Sequence, residues 1–240
     1  MNLIIDQGNS VAKLALFEKN KLVNYFQTEE LTTQMIEDLL QQYAVSSGIV
    51  SSVGRMDKSV YNLLKNQLSA FYELNAQLPL PLKIDYKTPD TLGVDRIAAA
   101  VGAWIQNPHS NLLVIDIGTA ITIDFISADG IYKGGNISPG IDLRFKALNQ
   151  FTDKLPLVNE IGEIPSLGYD TETAIRSGVI KGITREIDSY IEEFKKEQKV
   201  FIFLTGGHAF YFESKLKNSI FADGNLVLKG LNEILNYQYV

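Results

Sequence analysis

Apolar and polar positions along this chain follow two periods in turn, one near two residues and one near 3.6, and the switches between them divide it into elements. Asn2 to Asp6 is a short apolar run ending in Asp6-Gln7-Gly8-Asn9-Ser10, a pattern that predicts a buried strand and a tight turn. Lys13 to Phe17 predicts a second strand, Glu18-Lys19-Asn20 a hairpin turn, and Lys21 to Gln27 a third strand. Met35, Leu39 and Leu40 fall at helical spacing within Thr32 to Tyr43. Ser47 to Ser52 reads as another short strand. Asp57 is placed to cap a helix with apolar positions at Val60, Leu64, Leu68 and Phe71, and Pro79 and Pro81 then interrupt the pattern.

The second half opens in the same way. Leu112 to Asp116 is an apolar strand, followed by Ile117-Gly118-Thr119, a strand from Ala120 to Ser127, a turn at Asp129-Gly130 and a strand from Ile131. Aligning Asp6 on Asp116 gives a period of 110 residues, which puts Gly8 on Gly118, Asn9 on Thr119 and Asn20 on Gly130. One order of elements at matching offsets is the signature of an internal duplication. Residues 135–170 are rich in Gly and Pro and read as mostly irregular. Thr171 to Lys196 forms a long amphipathic helix, and Val200 to Leu204 a buried strand opening into Thr205-Gly206-Gly207. Alternating strands and helices give an α/β protein. We expect two halves, 1–110 and 111–240.

Composition narrows the chemistry. There is no cysteine, which excludes a disulfide scaffold, a thiolate metal site and a thiol nucleophile. His109 and His208 are the only histidines, too few for a His-rich metal site. The formal charge of −6 argues against nucleic acid as a partner. No apolar run reaches the roughly 18 residues of a membrane span. The first residues, MNLIIDQGNS, lack the basic region of a signal peptide, so we expect a cytoplasmic chain that acts on small molecules.

Two Asp-x-Gly turns are the strongest chemical signal. Glycine after a strand lets backbone approach a ligand, and N–H groups in such a turn can meet phosphate oxygens. An aspartate there can hold a cation beside those phosphates. Each turn alone is equally a plain hairpin corner; the matched pair favours a triphosphate held between two halves. Lys13 can reach back to phosphate or be a solvated strand residue. Thr205-Gly206-Gly207 is a weak candidate for contact with adenine or ribose, and Asp124 reads as support for the second turn. Leu92-Gly93-Val94-Asp95-Arg96 opens an Ala-rich helix. Its acid and base either cap that helix, or serve as proton acceptor and carboxylate grip for a substrate.

Asp6 to Lys13, Leu92 to Arg96 and Asp116 to Asp124 together resemble type III pantothenate kinase, of the acetate and sugar kinase/Hsc70/actin superfamily. Gly134-Gly135-Asn136-Ile137-Ser138-Pro139-Gly140, Thr152 to Pro156, Thr171 to Gly178 and Thr205-Gly206-Gly207 extend the likeness over essentially the whole chain. The resemblance implies a duplicated actin-like (ribonuclease H-like) fold, two mixed-sheet subdomains flanking a nucleotide cleft. It implies transfer of the γ-phosphoryl group of ATP to the 4′-hydroxyl of pantothenate, the first step of coenzyme A synthesis. Asp6, Gln7, Gly8, Asn9, Ser10, Val11, Ala12 and Lys13, with Thr119, would bind ATP. Asp95 would be the proton acceptor, and Tyr86, Gly93, Val94, Asp95, Arg96 and Thr171 would bind pantothenate. Asp116 would hold a monovalent cation (K+ or NH4+), Asp6 would serve Mg2+, and the enzyme would be a homodimer. Departures from the family pattern are Gln7 for a small apolar residue, Ser10 for threonine, Val94 for alanine and Arg55 where proline is frequent. The rival expectations are a kinase for another hydroxylated substrate and a non-catalytic, ATP-responsive regulator of the same fold.

Overall fold

The computed structural model describes residues 1–8, 11–52 and 56–239. Strands β1 (Asn2–Gln7), β2 (Ala12–Glu18) and β3 (Lys21–Thr28) form an antiparallel meander. Helix α1 (Thr33–Gln42) leads to β4 (Ser47–Ser52), parallel to β1; α2 (Lys58–Gln67) leads to β5 (Ala70–Glu73), parallel to β4. Then come β6 (Lys83–Ile84) and α3 (Val94–Gln106). The chain continues as β7 (Leu112–Ile117), β8 (Ala120–Ser127), β9 (Ile131–Pro139), α4 (Ile141–Gln150), α5 (Thr171–Glu197), β10 (Phe201–Thr205), α6 (Ala209–Glu213), β11 (Phe221–Ala222) and α7 (Leu226–Tyr237).

The described strands lie in two sheets, ordered β3-β2-β1-β4-β5 and β11-β10-β7-β8-β9-β6. Apart from β6 the second order is the first repeated, with β7, β8 and β9 for β1, β2 and β3, and β10 and β11 for β4 and β5. The duplication read from the Asp-x-Gly turns therefore extends to sheet topology. One detail differs. Asp6 faces Lys13 across the first hairpin, seven positions on, whereas Asp116 faces Thr122, six positions on. The second turn is shorter by one residue, and the period of 110 is regained only at the next corner.

Two compact units emerge: Met1–His109 with Ala128–Lys133 and Asn225–Val240, and Ser110–Ser127 with Gly134–Gly224. The C-terminal helix α7 thus belongs with the first unit. The reason is its contact with α3. A Cβ on Gly230 would sit 1.8 Å from the Ala98 carbonyl oxygen, and one on Gly102 would sit 2.1 Å from that of Leu226. The two backbones touch, and only glycine permits that.

Within the first unit, β-alternation sorts the residues of β1. Leu3 and Ile5 enter the core formed with Ile36, Leu39, Val60 and Leu64 of α1 and α2. Asn2, Ile4 and Asp6 face the other way, where Asn2 donates to Asn232 and Asn236 of α7, both at 2.9 Å. In the second unit Leu113, Ile115 and Ile117 of β7 pack with Ile175, Ile183 and Ile187 of α5.

Two expectations need correction. Phe71 is not on α2, which ends at Gln67 with Leu68 as its cap; Phe71 lies in β5. Residues 135–170 are not mostly irregular at their start, because β9 runs to Pro139 and α4 follows. Glycines 134 and 135 concealed how far the strand from Ile131 runs: Gly135 lies so close to β8 that a Cβ would meet the Ile123 carbonyl at 2.1 Å. No helix among the described residues is long and apolar enough to cross a membrane.

Gly230→Ala forces a methyl group into the Ala98 carbonyl and should destabilise the protein by about 2 kcal/mol, within the usual range for overpacking. Thermal unfolding checks this, with an expected fall in Tm of roughly 4–8 °C for a chain of this size. An unchanged Tm would contradict the close α3–α7 crossing.

Candidate functional site

The first unit gathers Asp6, Lys13 and Asp95. Asp6 ends the central strand, where Lys13 is its antiparallel partner on β2 and Ser51 its parallel partner on β4. Burial pushes the Asp6 carboxyl from 3.8 up to about 6; the Lys13 ammonium opposes that rise and the Asp95 carboxylate adds to it. Ser51 is fully buried, and its Oγ has no hydrogen-bond partner among the described residues. Gly8 closes the corner by donating its N–H to the Val11 carbonyl at 3.0 Å. Asn9, Ser10 and Arg55 lie outside the described residues.

Asp95 stands in the first turn of α3, after Gly93 at the N-cap and Val94 as the first helical residue. Its Oδ1 accepts the Arg96 N–H at 2.9 Å and crowds Gly93, where a Cβ would lie 2.5 Å away. An acid in the first turn of a helix suits the helix dipole, while the N-cap, Gly93, makes no side-chain cap. Asp95 Oδ2 is left without a hydrogen-bond partner among the described residues. Arg96 is buried at 6% exposure. Tyr86 is half-buried and packs edge-on against Tyr132, ring centroids 6.1 Å apart.

Gln7 departs from the expected grouping. It follows Asp6 by one residue in a strand, so its side chain lies on the α1/α2 face, away from Asp6. There it lines a cavity of about 500 Å3 with Thr32, Met56 and Val60. Its Oε1 is buried and has no partner among the described residues. Ala12 is buried in the core beside it.

The second unit builds a tighter corner around Asp116. Asp116 ends β7 between Thr122 of β8 and Thr205 of β10. Gly206 has φ +97°, and a Cβ there would lie 2.4 Å from Asp116 Oδ1. Gly118, on the other side, would place a Cβ 3.4 Å from the same oxygen. Gly140, the N-cap of α4, donates its N–H to the Thr119 carbonyl at 2.9 Å, and a Cβ on it would meet the Gly118 carbonyl at 2.2 Å. Three stretches separate in sequence, Asp116 to Thr119, Pro139-Gly140 and Thr205-Gly206, thus meet backbone to backbone. Thr119 is exposed. Thr171 is also exposed, in the first turn of α5, behind a capping box made by Asp170 and Thr173.

The sequence pattern assigns Gly140 no task and Gly206 only a weak one. The signal for both was available: each is a glycine placed just after a strand, where a close backbone approach is the ordinary reason for one. A cavity of about 640 Å3 is lined by Ile164, Ile180, Arg185, Asp188 and Lys217 among others, and includes none of the expected site residues. Among the described residues there is no cluster of three or more His, Asp or Glu side chains able to hold a metal ion. Single carboxylates such as Asp6 and Asp116 suit cations that take their remaining ligands from phosphate and water.

The shift at Asp6 has a sign that can be tested. A carboxyl with a higher pKa folded than unfolded favours folding below about 3.8, and that contribution is lost as pH rises through about 6. Asp6→Asn removes the cost of a buried charge, so its Tm should exceed that of the wild type at pH 8 and the gap should close toward pH 4. Thermal unfolding of both proteins across that range checks this; a gap independent of pH would contradict it.

The family model for type III pantothenate kinase matches residues 2–193. A type III pantothenate kinase of Azobacteroides pseudotrichonymphae genomovar. CFP2 is 55% identical over 238 residues, covering 99% of this chain and 97% of that one. Among solved structures, one from Campylobacter jejuni described as a candidate Baf family transcriptional activator is 26% identical, with a TM-score of 0.64 over 99% of this chain and 98% of that one. The ROK hexokinase of Thermus thermophilus shares the fold at 11% identity, with a TM-score of 0.53 over 99% of both chains. The repeated strand order, the two Asp-x-Gly corners and these likenesses converge: the chain belongs to the type III pantothenate kinase family, on the actin-like, sugar-kinase fold.

Proposed function

We propose that this protein phosphorylates pantothenate at its 4′-hydroxyl with ATP, giving 4′-phosphopantothenate and ADP, the first step of coenzyme A synthesis. Family membership supports the reaction, and one observation carries the assignment of roles. Two carboxylates and a lysine, Asp6, Asp95 and Lys13, interact at the end of one central strand. Phosphoryl transfer needs that combination: charge to meet the triphosphate, and a base beside the attacking hydroxyl.

In this reading Asp6 to Lys13 is the first phosphate-binding segment and Thr119 serves the second. Asp95 orients the 4′-hydroxyl and takes its proton; the hydroxyl oxygen bonds to the γ-phosphorus, and the bond to the bridging oxygen of ADP breaks with its electron pair. Asp95 Oδ2 suits that task, since Oδ1 is already held by the Arg96 N–H. Gly93 to Arg96, with Tyr86 and Thr171, bind the vitamin. Asp6 would hold Mg2+ and Asp116 a monovalent cation (K+ or NH4+), whose chemistry there is to offset the triphosphate charge. Within the first-strand segment the structure favours a backbone role for Gln7, because its side chain leaves the Asp6 face.

A second copy of the chain is the partner we assign to the segment ahead of Thr171. Phe151, Ile161, Leu167 and Tyr169 are 80%, 74%, 86% and 69% exposed there, large apolar side chains that a second copy would cover. A cytoplasmic location agrees with this substrate chemistry. The alternative, a non-catalytic regulator, is favoured by one observation, the description given to the Campylobacter jejuni structure.

Consumption of ATP with and without pantothenate separates these readings: we expect ADP formation to depend on pantothenate, and no stimulation would contradict the proposal. Asp95→Asn should lower kcat by about a hundredfold or more, the usual scale for a general base, with Tm little changed. Steady-state kinetics checks it, and a kcat within about tenfold of wild type would remove Asp95 from that role.

A further inference from the structure

The second unit contains an ion-pair network that touches no expected site residue directly. Glu186, from the middle of α5, accepts the Ser138 hydroxyl at 2.5 Å through Oε1 and the Arg144 guanidinium at 2.5 Å through Oε2. Arg144 also donates to the Pro139 carbonyl at 2.8 Å and to the Ser138 hydroxyl at 3.3 Å. The charged pair is only 21% and 25% exposed. A network this far from bulk water is held more firmly than a surface ion pair.

Its partners define what it holds. Ser138 and Pro139 end β9, and Gly140 begins α4, so all three bonds bear on the corner between these elements. That corner is packed on the second Asp-x-Gly turn: Gly140 N–H donates to the Thr119 carbonyl, and its α-carbon stands against the Gly118 carbonyl. The chain of contact therefore runs from Glu186 and Arg144 through Ser138-Pro139-Gly140 to Gly118-Thr119, all of it within one unit.

We propose that Arg144 and Glu186 are positioning residues for nucleotide binding, clamping the β9–α4 corner so that the Gly118–Thr119 turn is preorganised for phosphate. The inference rests on the reading that this turn contacts ATP. It assigns to α5 a function besides core packing, and it explains why an acid and a base face each other where two apolar side chains would pack as well. Preorganisation of a phosphate-binding turn acts on ATP affinity and leaves the vitamin site untouched.

The test combines hydrogen exchange with kinetics for Glu186→Ala, Glu186→Gln and, as a second route to the same loss, Arg144→Lys. In Glu186→Ala we expect the Gly118 and Gly140 amides to exchange faster while Tm stays near wild type. The KM for ATP should rise about ten- to a hundredfold, the scale on which small misplacement near reacting groups is felt, with the KM for pantothenate unchanged. Glu186→Gln keeps an acceptor for Ser138 and should recover part of the loss. Unchanged exchange at Gly118 and Gly140 overturns the clamp. Thr119→Ala is the control for the underlying reading. If it raises the ATP KM and Glu186→Ala does not, the inference fails alone; if neither does, the nucleotide role of the turn fails with it.

Discussion

A carboxylate placed at the end of a buried central strand is the constraint on which this structure turns. In each unit the first strand lies between an antiparallel neighbour and a parallel one, and its penultimate residue is an aspartate, Asp6 or Asp116. Such a position is poor for a charge, as the carboxyl of Asp6, lifted to about 6, makes plain. A fold that keeps an ionisable group there accepts an electrostatic cost which a hydrated cation and a polyphosphate would relieve. Proteins store this kind of cost at functional sites.

The surrounding glycines follow from the same constraint. Around Asp116 the approach of Gly118 and Gly206 leaves no room for a Cβ on the second and little on the first, and Gly140 brings a third backbone segment against the turn. The corner is thus lined with main-chain groups instead of side chains, and three chain segments meet there. The α3–α7 crossing uses the same device for another end, bringing two helix backbones together through Gly102 and Gly230. In one place the missing side chain makes space for chemistry and in the other it makes contact.

Much of this was legible in the amino-acid order. The apolar runs before Asp6 and Asp116 predicted central strands, and their matched flanks predicted a repeated unit whose strand order the sheets bear out. Asp57 does cap α2. What escaped was set by contacts between distant residues. The strand from Ile131 was legible, but its extension to Pro139 was hidden because Gly134 and Gly135 weaken any strand pattern, yet close packing on β8 requires small residues there. The attachment of α7 to the first unit depends on a helix crossing that no local period encodes. The α3 start was read correctly in place, but the orientation of Asp95, with one oxygen occupied and one open, is a matter of geometry.

The state of the Asp6 carboxyl is where a strand end built for a cation and phosphate is read most directly. Carbon-13 NMR of the labelled aspartate side chains, titrated in the metal-free protein and again with Mg2+ and ATP, reads it residue by residue. The prediction is a midpoint near 6 in the free protein, falling well below its ordinary value when the nucleotide complex binds. A midpoint at the ordinary carboxylate value in the free protein, or one indifferent to nucleotide, would contradict the claim that this strand end is built to receive a cation and phosphate.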